Sequence, residues 1–215
     1  MLKRASVCYL SALLVMLTGI LLSAHYYPGG FDWAYTVASA LMSQKHNPLG
    51  SVWFGVGMSG STFILWFYVS CIRQAMPDAE RFIRLLRLGL VCGMLVGLER
   101  LLFYDLSRLI HKAHELIAFL TFAGLYFGVI GVMVRMWKQE RQWRLSVLAA
   151  AIPLTIVSIQ LFYLYLTQRH LGWVNVSWRE KGIPIWVSFA FWQWWMIGSL
   201  WLGLGVLMRG IKRES

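Results

Sequence analysis

Residues 145–168 read LSVLAAAIPLTIVSIQLFYLYLTQ, twenty-four positions without an Asp, Glu, Lys or Arg. A helix rises about 1.5 Å per residue and a bilayer core is about 30 Å thick, so a charge-free run of this length is what a membrane-crossing helix requires. Runs at 5–25, 48–72 and 183–208 are equally free of those residues, and 115–136 carries them only near its ends, at Glu115 and Arg135. A further run, 83–104, is interrupted by Arg84 and Arg87 at its start and by Glu99 and Arg100 near its end, but 88–98 is continuously apolar or small. The pattern predicts an all-α fold: a polytopic bundle of six transmembrane helices forming a single membrane domain over 1–215.

Composition agrees. Hydrophobic residues make up 59% of the chain, charged residues 13%, and the mean hydropathy is +0.61. That excludes a soluble globule and leaves no polar tract for a disordered segment. The formal net charge of +11 reads as topology rather than as nucleic-acid binding, because no basic soluble module accompanies it. Thirteen of the Lys and Arg residues fall on the side of the termini: Lys3, Arg4, Arg73, Arg81, Arg84, Arg87, Arg135, Lys138, Arg141, Arg144, Arg209, Lys212 and Arg213. Seven fall opposite, which predicts that both termini are cytoplasmic.

The first run follows Lys3 and Arg4, as a signal peptide would, but its uncharged length exceeds an h-region of about 7–15 residues. Leu22 also stands where a cleavage site needs a small residue, so the run reads as a retained anchor. Cys8, Cys71 and Cys92 map to the cytoplasmic ends or interior of spans, which predicts no structural disulfide. Asn175, Val176 and Ser177 form a glycosylation sequon that matters only in a eukaryotic host.

Gly89, Gly93 and Gly97 in the third span, and Gly124 and Gly128 in the fourth, lie four apart and predict a tight antiparallel pair, since small residues let backbones approach closely in lipid. The sixth span carries Trp186, Trp192, Trp194, Trp195 and Trp201. Most such residues belong to an aromatic belt; the sharper reading is an apolar wall for a lipid, quinone or pigment, with Trp192 on it and Gln193 as its polar contact. The long connection 25–47 holds Tyr26, Tyr27, Phe31, Trp33 and Tyr35, and is expected to fold back over the bundle.

All five histidines, His25, His46, His111, His114 and His170, map to the side opposite the termini. His111, His114 and Glu115 have i, i+3, i+4 spacing and are the candidate metal ligands, with zinc the ion such a set suits and Asp105 or Glu99 the candidate catalytic acid–base group. Histidines at helix ends more often bond to loop carbonyls or headgroups. Glu99 and Arg100 are expensive at their depth and need partners. The reading puts Arg100 opposite Glu115 and turns Glu99 toward another helix, either as an ion pair that sets register or as part of a ligand pocket with His46 and, more weakly, Asp32.

Tyr27, Pro28, Gly29 and Gly30, then Ser39, Ala40 and Leu41, then Asn47, Pro48, Leu49 and Gly50 resemble the bacterial membrane family called domain of unknown function 998. His114, Ala118, Phe122 and Tyr126 are similar to a helix start in the autophagy-modulator DRAM-like proteins, also six-span proteins. The resemblance implies six helices, an ordered loop after the first of them, lipid-related work and a bacterial inner (cytoplasmic) membrane. Ala40 departs from it, standing where an Asp is common.

Three functions follow as expectations. The first is a noncatalytic membrane protein whose extracytoplasmic His/acid site binds lipid or docks with other membrane subunits. The second is a metal-dependent intramembrane hydrolase acting on a lipid, and the third a haem- or quinone-binding subunit.

Overall fold

The computed structural model describes residues 1–102, 108–168 and 177–211, without the side chains of 100–102, 108–113 and Ser177. The described residues form helices joined by turns. Six are long: α1 (Leu2–His25), α3 (Ser51–Ala75), α4 (Glu80–Leu102), α5 (Arg108–Gln139), α6 (Arg144–Gln168) and α8 (Phe189–Leu207). Two are short: α2 (Ala38–Met42) and α7 (Ser177–Glu180). Four segments are long and apolar enough to cross a membrane, namely Leu2–His25, Ser51–Ala75, His114–Gln139 and Arg141–Gln168. α4 falls short because of its charges, and α8 because four tryptophans and Gln193 dilute its aliphatic residues.

Turns of a few residues at Met76–Ala79 and Glu140–Trp143 reverse the chain between α3 and α4 and between α5 and α6. Hence one end of the bundle, the side of the N-terminus, carries the start of α1, the end of α8 and these two turns, and the other carries the 26–50 loop and α7. We call them the termini end and the loop end.

The predicted tight pair is present. A Cβ on Gly124 would lie 2.7 Å from the Gly89 nitrogen, so the α4 and α5 backbones touch where neither has a side chain. Ten residues further along α4, Glu99 meets His114, ten residues back along α5, so the helices run antiparallel. Gly97 departs from expectation: it faces α3, where a Cβ would stand 2.6 Å from the Gly55 carbonyl oxygen. Its glycine spacing suits either neighbour, and the rotation of α4 between two partners decides the matter. α1 and α3 approach in the same manner, with a Cβ on Gly57 only 2.9 Å from Gly19 Cα.

α8 closes the bundle. Tyr9 on α1 donates its hydroxyl to the Trp201 carbonyl (2.9 Å), and the fully buried Tyr68 on α3 donates to that of Leu204. The main core runs through Leu65, Ile72, Ile83, Leu86, Val129, Met133, Leu154 and Leu204. Outward, α6 presents Ile152, Ile156, Ile159, Phe162 and Leu166, all more than half exposed, and α1 presents Val7, Leu10, Leu14 and Leu21 likewise. Exposed aliphatic faces of this extent suit lipid as the surrounding solvent.

Candidate functional site

The loop end is assembled from polar residues that hold an apolar plug. After α1 the chain turns at Pro28, with Gly29 and Gly30 at φ of 74° and 88°, a conformation side-chain-bearing residues rarely adopt. It then re-enters the bundle as α2. Ala38, Leu41 and Met42 pack against Met16 and Ile20 of α1, Phe54 of α3 and Val96 of α4, with Ile117, Ala118 and Trp194 beside them.

Asn47 fastens this plug. Its Nδ2 lies 2.9 Å from both the Ser23 carbonyl and the Ser23 hydroxyl oxygen and 3.0 Å from the Leu41 carbonyl; its Oδ1 accepts from the Gly50 nitrogen at 3.0 Å. Ser23 in turn donates its hydroxyl to the Leu41 carbonyl (3.0 Å). One buried amide thus serves the open C-terminal end of α1 and the approach to α3 together. The expectation that the loop folds back over the bundle matches this arrangement. Gly50 cannot carry a side chain here, because a Cβ would lie 2.5 Å from the Asn47 amide.

A second fastening ties the loop to the segment before α8. Arg179 Nε and Nη2 donate to the two oxygens of Asp32 at 2.8 and 2.9 Å, and the guanidinium lies 5.5 Å from the Tyr35 ring centre. The hydrogen bond from Arg179 is the main reason the Asp32 carboxyl titrates below the ordinary carboxylate range. Tyr35 donates its hydroxyl to the Ile183 carbonyl, and the Ala38 nitrogen donates to Gln193 Oε1 at 2.8 Å.

The predicted site residues therefore separate. Glu99 Oε2 lies 3.0 Å from His114 Nδ1, with the two side chains 13% and 9% exposed. This corrects the expectation that Glu99 turns away from α5: the α4–α5 glycine contact brings it onto that helix. Glu115, one position on, is exposed, because successive helical residues differ by about 100° in direction. Among the described residues no three His, Cys, Asp or Glu converge as a metal would need. Arg100, Asp105 and His111 lie outside the described residues or side chains. His46 is half-buried beside Asn47, and Asp32 is engaged by Arg179.

Of the sixth-span tryptophans, Trp194 and Trp195 line a groove, and Trp192 does not. Trp192 packs on the main core and donates its indole N–H to the Trp186 carbonyl (2.7 Å), while Gln193 serves α2. The groove itself, about 800 Å³, lies between α6 and α8 and is lined by Trp33, Ala34, Pro153, Ile185, Phe191, Trp194, Trp195, Gly198, Ser199 and Leu202. Trp33 and Trp194 meet edge to face at 5.0 Å, so the loop forms its roof. Trp195, Leu202 and Ile185 are 56%, 51% and 40% exposed, which opens the groove to the flank of the bundle. Gly198 leaves space: a Cβ there meets nothing within 4 Å. Helical spacing could have flagged Trp194, Trp195 and Gly198 as one side of α8. Nothing in the sequence signals that Trp33 joins them.

Fold and groove together define an all-helical bundle with membrane-length apolar helices and a side-opening aromatic groove. The chain matches no family model, no curated protein and no solved structure.

Proposed function

We propose that this is a six-span membrane protein with both termini cytoplasmic that binds a membrane lipid or a quinone-like molecule in the groove between α6 and α8. The observation that carries the reading is the groove itself, about 800 Å³, lined by Trp33, Trp194, Trp195 and Phe191 and open sideways where lipid would stand. α4, with 23 residues, and α8, with 19, supply the fifth and sixth spans, since at about 1.5 Å per residue each comes close to or exceeds the bilayer core of about 30 Å. The excess of Lys and Arg at the termini end supports its cytoplasmic placement, and the bacterial inner membrane follows from the family resemblance alone.

Ser199, buried at the groove, and the indole N–H groups of Trp33 and Trp195 are the polar atoms a headgroup or ring carbonyl would use. Glu99 and His114 act beside this site rather than in it, fixing the register of α4 and α5 under the plug. A lipid hydrolase built on His111, His114 and Glu115 has less support, because His114 is engaged by Glu99 while Glu115 faces outward.

Gly198→Phe tests the reading, because a Cβ there meets nothing within 4 Å and the ring beyond it would take up space in the groove. Protein purified in mild detergent is expected to co-purify a stoichiometric lipid or quinone, identified by mass spectrometry, and Gly198→Phe to lose it while folding normally. Equal retention by a folded Gly198→Phe variant would overturn the proposal.

A further inference from the structure

At the termini end, Arg87 sits seven residues inside α4, about 10 Å along the helix from its start at Glu80. Its side chain lies against α3, at Trp66 and Ser70. The guanidinium carbon stands 4.9 Å from the Trp66 ring centre, and Nη2 donates to the Ser70 hydroxyl at 3.2 Å. Arg87 Nε is buried without a hydrogen-bond partner among the described residues. A guanidinium has five N–H donors, and the protein takes one of them here.

No carboxylate among the described residues pairs with Arg87. The acid on the same flank, Glu80, is shared by Arg73 (2.8 Å) and Arg84 (3.2 Å). An uncompensated cation at this depth, stacked on an indole, calls for an anion, and the anion a bilayer offers there is a phospholipid phosphate. Below Arg87 the lipid-facing flank of α3 and α4 is apolar, with Phe63 55%, Leu88 48% and Leu95 45% exposed.

We propose that Arg87, held in place by the Ser70 hydroxyl and the Trp66 ring, binds the phosphate of an anionic phospholipid in the leaflet at the termini end. The site rests on the protein's lying in a membrane but not on the α6–α8 groove, from which it is separate in the fold.

The test uses the full-length chain in detergent, titrated with phosphatidylglycerol or phosphatidylcholine and read by native mass spectrometry. Wild type is expected to retain phosphatidylglycerol preferentially, and Arg87→Gln to lose about tenfold in that retention, the worth of one charge-assisted contact. Arg141→Gln, an exposed charge at the same end, is expected to change nothing, and Gly198→Phe likewise. Unchanged retention in Arg87→Gln, or an equal drop in Arg141→Gln, would overturn the site in favour of diffuse surface charge. Competition by soluble glycerol phosphate as strong as that by the lipid would overturn its lipid identity. If Arg87→Gln gives no folded protein, Trp66→Leu decides: a several-fold loss supports the site and unchanged retention refutes it.

Discussion

Replacing Asn47 by Ala removes a side chain that is fully buried and bonded at both ends. Its two N–H groups serve three oxygens within 3.0 Å, so one of them is shared between two of these oxygens. The Leu41 carbonyl keeps the Ser23 hydroxyl after the change. The Ser23 carbonyl and the Gly50 nitrogen lose the Asn47 bonds, in a place where water does not reach easily. At about 1–3 kcal/mol for each of these two buried groups left unpaired, the expected cost is about 2–6 kcal/mol. Asn47→Asp should be no better at neutral pH, since it retains the acceptor for Gly50 but sets a carboxylate against two carbonyl oxygens. Thermal or denaturant unfolding in detergent gives the energy, and limited proteolysis of residues 26–50 reports whether α2 has come loose. A loss below about 0.5 kcal/mol with unchanged proteolysis would show that water or a neighbour replaces the amide, and the capping argument would fail.

Two further outcomes are expected. Glu99→Ala and His114→Ala should each cost about 2–4 kcal/mol, and the double variant clearly less than their sum, because either single change already removes the contact the two side chains share; strict additivity in a double-mutant cycle would refute the pairing. Arg179 depresses the Asp32 pKa in the folded protein, so the latch contributes above the ordinary carboxylate pKa and is lost as pH falls through the lower folded value. Proteolysis of the loop should therefore rise in strong acid, and Asp32→Asn should show the same looseness at pH 7; a tight loop in that variant would count against the latch.

Local chemistry made much of this protein legible without coordinates. The long apolar runs predict the long helices because apolar side chains and internally bonded backbone reinforce each other over twenty or more residues. Gly89 and Gly124 predict close approach for an equally local reason, the missing Cβ, and Tyr27 to Gly30 announce the turn through residues tolerant of its backbone angles. What depended on tertiary structure was direction. The spacing of His111, His114 and Glu115 could not say that His114 would meet Glu99 while Glu115 faced outward, since that depends on the rotation of α5 against α4. Likewise Asn47 was visible as one residue of a motif, but its bonds run to Ser23, twenty-four residues earlier, and Trp33 meets Trp194 across most of the chain. Such contacts are set by how whole helices pack, and a spacing pattern within one helix does not encode which neighbour that helix will turn toward.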